Sequence, residues 1–405
     1  MTIWIPGSKS YTNRALVMAA LTRGSVVLKD PLYSADTEAM IGCLRSLGVE
    51  IAIGQKKIVV HGDIWSLEKN AYELFAHDSG TSARFLLALL CLIPGVKTLR
   101  GCKRLQERPI SDLVDALRSI GAEIDYCEEE GKLPVTVRSS ILPLSLVVLR
   151  AEMSSQFCSA LLLIAPYVGL TIHLAGKLVS KPYIDMTLAC MLDWGVEVVQ
   201  EGTGCYVISG GQNYSKKEYT IEGDYSSAGY FFALAVLTRS KIRVGNLNPR
   251  SMQADRRFLD ILVQMGNGVF YGDNCVEVEG RAVSPLQVNM EDCPDQVMTL
   301  AVLAAFAQGM THITGVRSLR VKETDRVLAL RTELAKMGIQ TEESHDSITI
   351  YGGNPHAAQI ETYNDHRIAM AFAVAAALLP GMTIYNPEVV NKTFPTFWEM
   401  MRQVI

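Results

Sequence analysis

The sequence predicts an α/β protein of two domains, built from six copies of one repeating unit. A hydrophobic stretch with polar residues at its start recurs six times, about seventy residues apart. A second series of helix patterns ends on glycine, and short hairpin patterns follow several of these glycines. Self-similarity at a fixed period is typical of an architecture made by duplication, so the repeat determines how the rest of the chain is interpreted.

The six hydrophobic stretches agree in their apolar halves and differ in their polar starts. Runs such as FLLALLCL and AMAFAVAAALL are apolar on nearly every helical face, which predicts interior helices rather than amphipathic ones. The six copies are SKSYTNRALVMAAL from Ser8, DSGTSARFLLALL from Asp78, SSQFCSALLLIA from Ser154, GDYSSAGYFFALAV from Gly223, CPDQVMTLAVLAAF from Cys293 and NDHRIAMAFAVAAA from Asn364.

The second helix of each complete copy is expected to end on a glycine. Glycine supplies the left-handed residue just past a helix, and the β-prone residues after it begin a strand. Each unit is therefore predicted as helix, strand, second helix and hairpin, and the sixth copy stops inside its second helix. The five glycines are Gly48, Gly121, Gly195, Gly266 and Gly338.

Six copies in 405 residues divide into two domains of three copies each. We expect residues 9–221 to form the first domain, and residues 222–405 together with 1–8 to form the second. The polar run NYSKKEYTIEGD, residues 213–224, is the predicted crossing between them.

Composition excludes several classes of function. Lys plus Arg is 38 and Asp plus Glu is 42, and this net charge of −4 gives no general attraction for nucleic acid. The apolar runs are too short to span a bilayer, and MTIWIPGSKS lacks the pattern of a signal peptide. Nine cysteines without a CxxC pair indicate reduced thiols in a cytoplasmic protein. The seven histidines form no metal-binding pair, so no metal is expected.

The chemistry is predicted at the helix starts, where free amide groups and the helix dipole favour anions. Arg14, Arg84, Arg326 and Arg367 are expected in first turns, where a cation opposes the dipole, and this favours a bound anion. Asp295 is either a helix cap or a functional carboxylate. The cations at the starts and adjoining loops suit substrates with several phosphate and carboxylate groups; they are Lys9, Arg14, Arg84, Arg108, Lys322, Arg326, Arg367 and Lys392.

Nine strings follow one another in order from Ile5 to Pro395: PGSKSYTNRAL, SGTSAR, ERPISDLVDAL, SSQF, SKPYIDMTL, PDQVMT, RVKETDR, NDHRIAMA and NKTFP. Together they resemble the 5-enolpyruvylshikimate-3-phosphate (EPSP) synthase family. The family resemblance implies a two-domain inside-out α/β barrel of six βαβαββ repeats, with buried helices and outer sheets. It also implies an active site in the cleft between the domains, and no cofactor.

The resemblance implies transfer of the enolpyruvyl group of phosphoenolpyruvate to the 5-hydroxyl of shikimate 3-phosphate, with release of phosphate. Asp295 would act as base, and Glu323 would protonate the methylene carbon, with Lys9 or a shared network carrying part of that role. Shikimate 3-phosphate would be held by Lys9, Ser10, Arg14, Ser154, Ser155, Gln156, Ser180, Tyr183, Asp295, Ser318 and Lys322. Phosphoenolpyruvate would be held by Lys9, Gly80, Thr81, Arg108, Gln156, Arg326, Arg367 and Lys392. The partners expected are these two small molecules, without nucleic acid or membrane, and the protein is expected to be a monomer.

Three departures from the family pattern stand out. Asp78 replaces an Asn common before the SGT turn, either as a helix cap or as a partner of an arginine. Ser318 replaces an Asn common before RVKETDR, which puts its substrate contact in doubt. The chain begins about a dozen residues later than relatives do, so the first domain's edge is expected either to be incomplete or to be covered by another segment.

Two other functions remain as alternatives. The UDP-N-acetylglucosamine enolpyruvyl transferases have the same architecture and a reactive cysteine in a GCAIGARP loop. Here GCKRLQERP places Cys102 one residue further from Arg108 than that loop does, so Cys102 is interpreted as an incidental thiol. The other alternative is a repeat scaffold without catalysis, which usually shows one recurring surface rather than divergent charged starts.

Gly80 carries a further implication of the resemblance. Glyphosate-insensitive members of the family carry alanine at this turn. The glycine therefore predicts inhibition by glyphosate in competition with phosphoenolpyruvate.

Overall fold

The computed structural model describes residues 1–67, 70–138, 141–150, 154–176 and 179–405. The chain forms two compact units. The first unit is Lys9–Ile221, and the second unit is Met1–Ser8 with Glu222–Ile405. The chain therefore passes between the units twice, once after Ser8 and once after Ile221.

Helices and strands alternate along the described ranges. The helices are α1 Lys9–Leu21, α2 Ala35–Leu47, α3 Gly80–Leu90, α4 Lys103–Gln106, α5 Ser111–Ser119, α6 Ser155–Val168, α7 Lys181–Asp193, α8 Tyr225–Thr238, α9 Phe258–Gln264, α10 Val297–Ala305, α11 Arg326–Lys336, α12 His366–Ala376 and α13 Phe397–Val404. The strands are β1 Thr2–Trp4, β2 Gly24–Lys29, β3 Glu50–Ile53, β4 Lys57–Gly62, β5 Ala71–Phe75, β6 Val96–Arg100, β7 Ile124–Tyr126, β8 Val135–Val137, β9 Leu146–Arg150, β10 Leu170–Ala175, β11 Val199–Gln200, β12 Cys205–Ile208, β13 Glu218–Thr220, β14 Lys241–Gly245, β15 Gly268–Gly272, β16 Cys275–Glu279, β17 Gln287–Asn289, β18 Gly309–Thr314, β19 Gln340–Glu343, β20 Ser347–Gly352, β21 Gln359–Ile360 and β22 Thr383–Ile384. Short 3-10 turns cover Ile64–Ser66, Ala254–Arg257, Pro294–Gln296, Arg317–Val321 and Pro387–Lys392.

The sheets follow one plan. In three of the five four-stranded sheets of the described ranges, the strands on either side of a buried helix, α3, α6 or α10, pair in parallel. In all five, an antiparallel hairpin extends the sheet beyond the parallel pair. In the first unit the strand orders are β13-β2-β4-β3, β5-β6-β8-β7 and β11-β12-β10-β9. In the second unit they are β1-β14-β16-β15, β17-β18-β20-β19 and β21-β22.

The leading strands of the first and fourth copies are exchanged. Strand β1 pairs in parallel with β14, with Thr2 opposite Arg243 and Trp4 opposite Gly245. Strand β13, from the end of the first unit, pairs in parallel with β2, with Glu218 opposite Val27. Of the two outcomes expected for the first domain's edge, the second is therefore correct: another segment of the chain covers it.

The predicted inside-out arrangement is confirmed within each unit. Every residue of α3 and of α10 is buried, as their apolar sequences predict. The strands instead alternate: Tyr72 and Leu74 of β5 are buried, whereas Glu73 between them is exposed. Each unit therefore has buried helices at its centre, and its sheets turn one face to these helices and the other to solvent.

The five repeated glycines have the predicted left-handed backbone, with φ from 80° at Gly338 to 110° at Gly48. At the end of α2, the Gly48 amide donates to Arg45 and the Val49 amide donates to Leu44, which is the hydrogen-bond pattern of a Schellman cap. No helix in the described ranges is both long and apolar enough to cross a membrane. All nine cysteines lie in these ranges as thiols.

Candidate active site

A buried arginine in the second unit gathers three carboxylates. Arg326, the first residue of α11, donates from Nε to Asp365 Oδ2 at 2.7 Å. Its Nη1 donates to Asp295 Oδ1 at 3.1 Å, and its Nη2 donates to Glu323 Oε2 at 2.9 Å. Burial alone would lower the pKa of Arg326, but Asp365, Glu323 and Asp295 more than offset this and raise it above its ordinary value.

Two more cations complete this cluster, which we call the Arg326 cluster. Arg367 Nη2 donates to Asp295 Oδ2 at 2.7 Å, so each oxygen of Asp295 accepts a bond from a different arginine. Lys392 Nζ lies 3.5 Å from Glu323 Oε1. Three cations thus balance three carboxylates, and the arrangement is compatible with burial because each charge has an opposite partner.

Local structure explains why these side chains meet. Asp365 caps α12 by accepting from the Arg367 amide at 2.8 Å, and this fixes its carboxylate beside Arg326. Asp325 caps α11 by accepting from the amides of its first turn. Asp295 lies in the 3-10 turn before α10, where Cys293 and Gln296 are the N-cap residues. Both oxygens of the Asp295 carboxylate accept from arginines, so the interpretation of Asp295 as a plain helix cap is not supported.

A fourth carboxylate, Asp255, lies close to this cluster and is almost fully buried. Burial raises the pKa of Asp255 to about 7; the negative charge of Asp295 adds to this rise, whereas Arg367 opposes it. Ser226 donates to one carboxylate oxygen, and the other has no hydrogen-bond partner among the described residues. Asp255 therefore takes up a proton near neutral pH.

Asp255→Asn should change how stability depends on pH. The raised pKa means that the native state binds a proton that the unfolded state has lost. The contribution of Asp255 to stability is therefore full below about pH 4 and disappears as pH rises through 7. Wild type should lose ~2 kcal/mol of unfolding free energy relative to D255N between pH 5 and pH 8. Urea unfolding of both proteins at the two pH values measures this, and a constant difference would contradict it.

In the first unit, side chains join the starts of α3 and α6. Arg84 Nη1 donates to Gln156 Oε1 at 2.5 Å, and Gln156 Nε2 donates to Thr81 Oγ1 at 3.2 Å. The guanidinium of Arg84 also lies 5.3 Å from the ring centroid of Phe157. The predicted residues Thr81 and Gln156 are therefore brought together, with Arg84 as the cation that orients the Gln156 amide.

Arg108 packs directly against Gly80. A Cβ built on Gly80 would lie 2.8 Å from Arg108 Nη1, closer than real Cβ contacts come. Arg108 is buried in the loop between α4 and α5, and Gly80 is the first residue of α3. The absence of a side chain at position 80 thus allows this guanidinium to approach the start of the helix.

Arg14 is buried among neutral oxygen atoms. Its guanidinium donates to Thr187 Oγ1, Ser159 Oγ and the carbonyls of Ser10 and Tyr183, at distances of 2.8–3.3 Å. Burial lowers the pKa of Arg14 from its ordinary value. These contacts hold α1 against α6 and α7, and none of them neutralises the positive charge.

Lys9 opens α1 and lies next to a carboxylate that the sequence analysis did not single out. Its Nζ donates to Asp36 Oδ2 at 3.0 Å, and the Asp36 backbone carbonyl accepts from Ser82 of α3. This pair therefore connects the starts of α1, α2 and α3. The string SADTEA, which contains Ser34 and Asp36, indicates the start of a helix. It does not indicate that Asp36 forms an ion pair with Lys9.

The remaining predicted residues lie at helix starts or turns. Ser154 caps α6 and accepts from the Gln156 amide, and Ser155 is buried as the first residue of that helix. Ser180 precedes α7 in the left-handed conformation, and Tyr183 lies in the first turn of α7. Ser318 and Lys322 lie in and just after a 3-10 turn of the second unit, both partly buried.

Two predictions about position are wrong. Arg14 and Arg84 are the sixth and fifth residues of their helices rather than first-turn residues, so the argument from the opposed dipole applies only to Arg326 and Arg367. Those two are neutralised by carboxylates. Asp78 is exposed, and Ser79 caps α3 instead, so the cap interpretation of Asp78 is also wrong. Sequence reasoning also missed Asp255 and gave Asp365 no role, although its NDHR string was noted.

Two units of three repeats, with charged side chains at the starts of buried helices, define a two-domain α/β enzyme of the inside-out class. An EPSP synthase structure from Acinetobacter baumannii matches with a TM-score of 0.82 and 25% identity, over 100% of this chain and 95% of that one. A second structure from this organism gives a TM-score of 0.81. The family model of EPSP synthase (3-phosphoshikimate 1-carboxyvinyltransferase) matches residues 1–401.

Relatives named 3-phosphoshikimate 1-carboxyvinyltransferase extend over the same length. The protein of Shewanella woodyi is 40% identical over 405 residues, which is 98% of this chain and 95% of the relative. That of Shewanella pealeana is 40% identical over 410 residues, 100% of this chain and 96% of the relative. This chain belongs to the EPSP synthase family and is a transferase.

Proposed function

We propose that this chain transfers the enolpyruvyl group of phosphoenolpyruvate to the 5-hydroxyl of shikimate 3-phosphate and releases phosphate. The reaction proceeds by addition and elimination through a tetrahedral intermediate and uses no cofactor. The observation that carries the proposal is the Arg326 cluster, where two partly exposed carboxylates, Asp295 and Glu323, are held among three cations. The reaction needs one group to take a proton from a hydroxyl and another to give one to carbon, beside cations for an anionic substrate.

Phosphoenolpyruvate carries a phosphate and a carboxylate, and planar guanidinium groups bind both in a bidentate way. The contacts between Gly80 and Arg108, and between Thr81 and Gln156, support a phosphoenolpyruvate site at the start of α3. The residues assigned to this substrate are Lys9, Gly80, Thr81, Arg108, Gln156, Arg326, Arg367 and Lys392.

Binding of this substrate would also activate the base. Both oxygens of Asp295 accept charge-assisted bonds from arginines, and a carboxylate held in this way is a weak base. A substrate carboxylate that binds Arg326 and Arg367 competes for the same N–H groups. Asp295 then gains a free lone pair for the 5-hydroxyl proton, so the base becomes active only when phosphoenolpyruvate is present.

Glu323 is assigned as the proton donor to the methylene carbon, and Lys9 shares this proton transfer. Glu323 interacts with Arg326 and Lys392, both of which are also assigned to phosphoenolpyruvate. When the substrate's negative charge engages these cations, the Glu323 carboxylate loses their stabilisation and accepts a proton more readily. The same exchange of partners thus prepares both the base and the acid.

Shikimate 3-phosphate is assigned to the charged and hydroxyl groups at the starts of α1, α6 and α7, with further groups from the second unit. Arg14 supports this assignment, because its partners among the described residues are neutral oxygens and its charge stays available to an anion. The residues are Lys9, Ser10, Arg14, Ser154, Ser155, Gln156, Ser180, Tyr183, Asp295, Ser318 and Lys322.

Phosphate release from phosphoenolpyruvate tests the function directly. The assay is run with shikimate 3-phosphate as acceptor and, in parallel, with UDP-N-acetylglucosamine. Release with shikimate 3-phosphate alone is the expected result. Release with the sugar nucleotide alone, or with neither acceptor, would overturn the proposal.

We further propose that the protein works in the cytoplasm as a monomer. The nine cysteine thiols suit a reducing compartment. All assigned residues come from one chain, so the chemistry requires no second copy. Light scattering during size-exclusion chromatography should give the mass of one chain, 44.5 kDa.

Gly80→Ala should weaken phosphoenolpyruvate binding and leave the fold intact. The new methyl group would displace the guanidinium end of the Arg108 side chain, while the helical backbone at position 80 accepts alanine. We expect the KM for phosphoenolpyruvate to rise about ten- to hundredfold, since a displacement of about 1 Å has effects of this size. Glyphosate, expected to compete with phosphoenolpyruvate in the wild type, should inhibit G80A far less.

Gly42→Ala is the matched control for this prediction. Gly42 also lies inside a helix, and a Cβ there would meet nothing within 4 Å. G42A should therefore keep the wild-type KM and glyphosate inhibition. Equal KM values for G80A and wild type, or inhibition by glyphosate that does not depend on phosphoenolpyruvate concentration, would contradict the assignment of Gly80.

A further inference from the structure

The turn that leads into α12 has a strained backbone. Tyr363 and Asn364 follow one another with φ of 53° and 54°, and the Asp365 amide donates to the Thr362 carbonyl at 2.8 Å across them. Two central residues with positive φ are the mark of a type I′ turn, which strongly favours glycine and asparagine. A bulky tyrosine in this conformation persists only where its surroundings hold it there.

A buried carboxylate two helical turns into α11 holds this tyrosine. Glu333 has a fully buried side chain. Its Oε1 accepts from the Tyr363 hydroxyl at 2.5 Å, and its Oε2 accepts from the Glu361 amide at 3.1 Å and from Lys336 Nζ at 2.8 Å. Hydrogen bonds to a charged group are among the stronger ones in proteins, and these attach the start of the turn to α11.

The end of the same turn is attached to the same helix face. Asp365 follows the strained pair directly and binds Arg326. Arg326 and Glu333 are seven residues apart on α11, and this spacing places them on one face about two turns apart. The segment from Glu361 to Asp365 therefore lies along α11 and is fixed at both ends, by Glu333 and by Arg326.

We propose that Glu333 and Tyr363 are positioning residues for the anion site of the second unit. Their hydrogen bond holds the strained turn, the turn sets Asp365, and Asp365 orients Arg326 and the first turn of α12, where Arg367 lies. We call the hydrogen bond between Glu333 and Tyr363 the clamp. This inference rests on the proposed function, because the arginines that the clamp positions are those that would bind phosphoenolpyruvate. No site residue touches Glu333 or Tyr363 among the contacts described above, so they act only through the turn.

A simple packing role predicts a different order of effects. If the Tyr363 ring mattered only for packing, phenylalanine would be the mild replacement and glycine the severe one. If the clamp opposes backbone strain, the order reverses. Phenylalanine keeps the strain and loses the clamp, whereas glycine adopts a positive φ without cost and no longer needs the clamp. Tyr363 is 38% exposed, so removing its ring sacrifices little packing.

The test uses Y363F, Y363G, E333Q and the double variant E333Q/Y363G in the full chain, with steady-state kinetics for each substrate. Y363F and E333Q should each raise the KM for phosphoenolpyruvate about tenfold, equivalent to ~1.4 kcal/mol. The KM for shikimate 3-phosphate should change less than twofold or so in the same variants. Y363G should lie closer to wild type than Y363F, and E333Q/Y363G should recover most of the loss caused by E333Q.

Tyr351→Phe is the matched control, since Tyr351 also hydrogen-bonds a glutamate, Glu342, on a hairpin that carries no assigned site residue. Y351F should keep wild-type kinetics, and thermal unfolding confirms that each variant is folded. The clamp is refuted if Y363G is worse than Y363F, or if both substrates lose affinity equally. Absence of turnover in the wild type would instead refute the proposed function, so the two failures are distinguishable.

Discussion

The R326M variant is expected to lose about 3–5 kcal/mol of unfolding free energy in the second unit at neutral pH, the usual effect of removing one partner from a buried ion pair. Methionine fills a similar volume but leaves Asp365, Asp295 and Glu323 without their common cation. Asp365 suffers most, because its side chain is fully buried. Urea unfolding followed by circular dichroism measures the loss, and turnover should disappear with it.

R331M separates this effect from the loss of any arginine on the same helix. Arg331 lies five residues further along α11 and pairs with Glu343, with its own side chain 54% exposed. An exposed pair of this kind contributes roughly 0–1 kcal/mol. Equal destabilisation of R326M and R331M would show that the three carboxylates of the Arg326 cluster do not depend on Arg326 for their charge balance.

Asp295→Asn should lower kcat by about 10²–10⁴, the usual contribution of a general base. The variant keeps the shape of the side chain and loses its negative charge beside Arg326 and Arg367. Those arginines are then bound less tightly by the protein, so the KM for phosphoenolpyruvate should stay the same or fall. Steady-state phosphate release at saturating shikimate 3-phosphate measures both parameters.

D292N is the control for this variant, since Asp292 lies three residues earlier and pairs with Arg257, with its own side chain 46% exposed. Its kcat should equal that of wild type. A D295N enzyme with unchanged kcat would exclude Asp295 as the base. A large rise in its KM for phosphoenolpyruvate would contradict the competition between Asp295 and substrate for the same guanidinium groups.

The parts of the fold that depend on local sequence were predictable. Apolar runs such as FLLALLCL gave buried helices, and the repeated glycines gave helix ends with positive φ. The family motifs named the candidate site residues, and their assignment to substrates stays a prediction. The pairing among their side chains was not predictable, because pairs such as Lys9 with Asp36 or Arg326 with Asp365 join residues 27 and 39 positions apart. No periodicity in the sequence encodes such contacts.

The wrong predictions about the positions of Arg14 and Arg84 arose from the helix boundaries. The polar starts of the copies suggested one common register, so Arg14 and Arg84 were expected in first turns. In the protein, α1 begins at Lys9 and α3 at Gly80, and both arginines lie beyond the first turn. Residues 1–8 were assigned to the second domain, but the pairing of the exchanged strands was not predicted, because a three-residue strand such as β13 has too little pattern to reveal its partner.

The exchanged strands impose an order on biosynthesis. Strand β1 leaves the ribosome first, but residues of its partner segment lie 241 positions later, as between Ile5 and Asn246. At ~5–20 residues per second, the amino-terminal segment waits roughly 10–50 s for that partner. The first unit, Lys9–Ile221, consists entirely of residues synthesised before that partner. Strand β1 thus belongs to the unit whose other residues are synthesised last, so a substitution in β1 would affect that unit only after the residues of the first unit have left the ribosome.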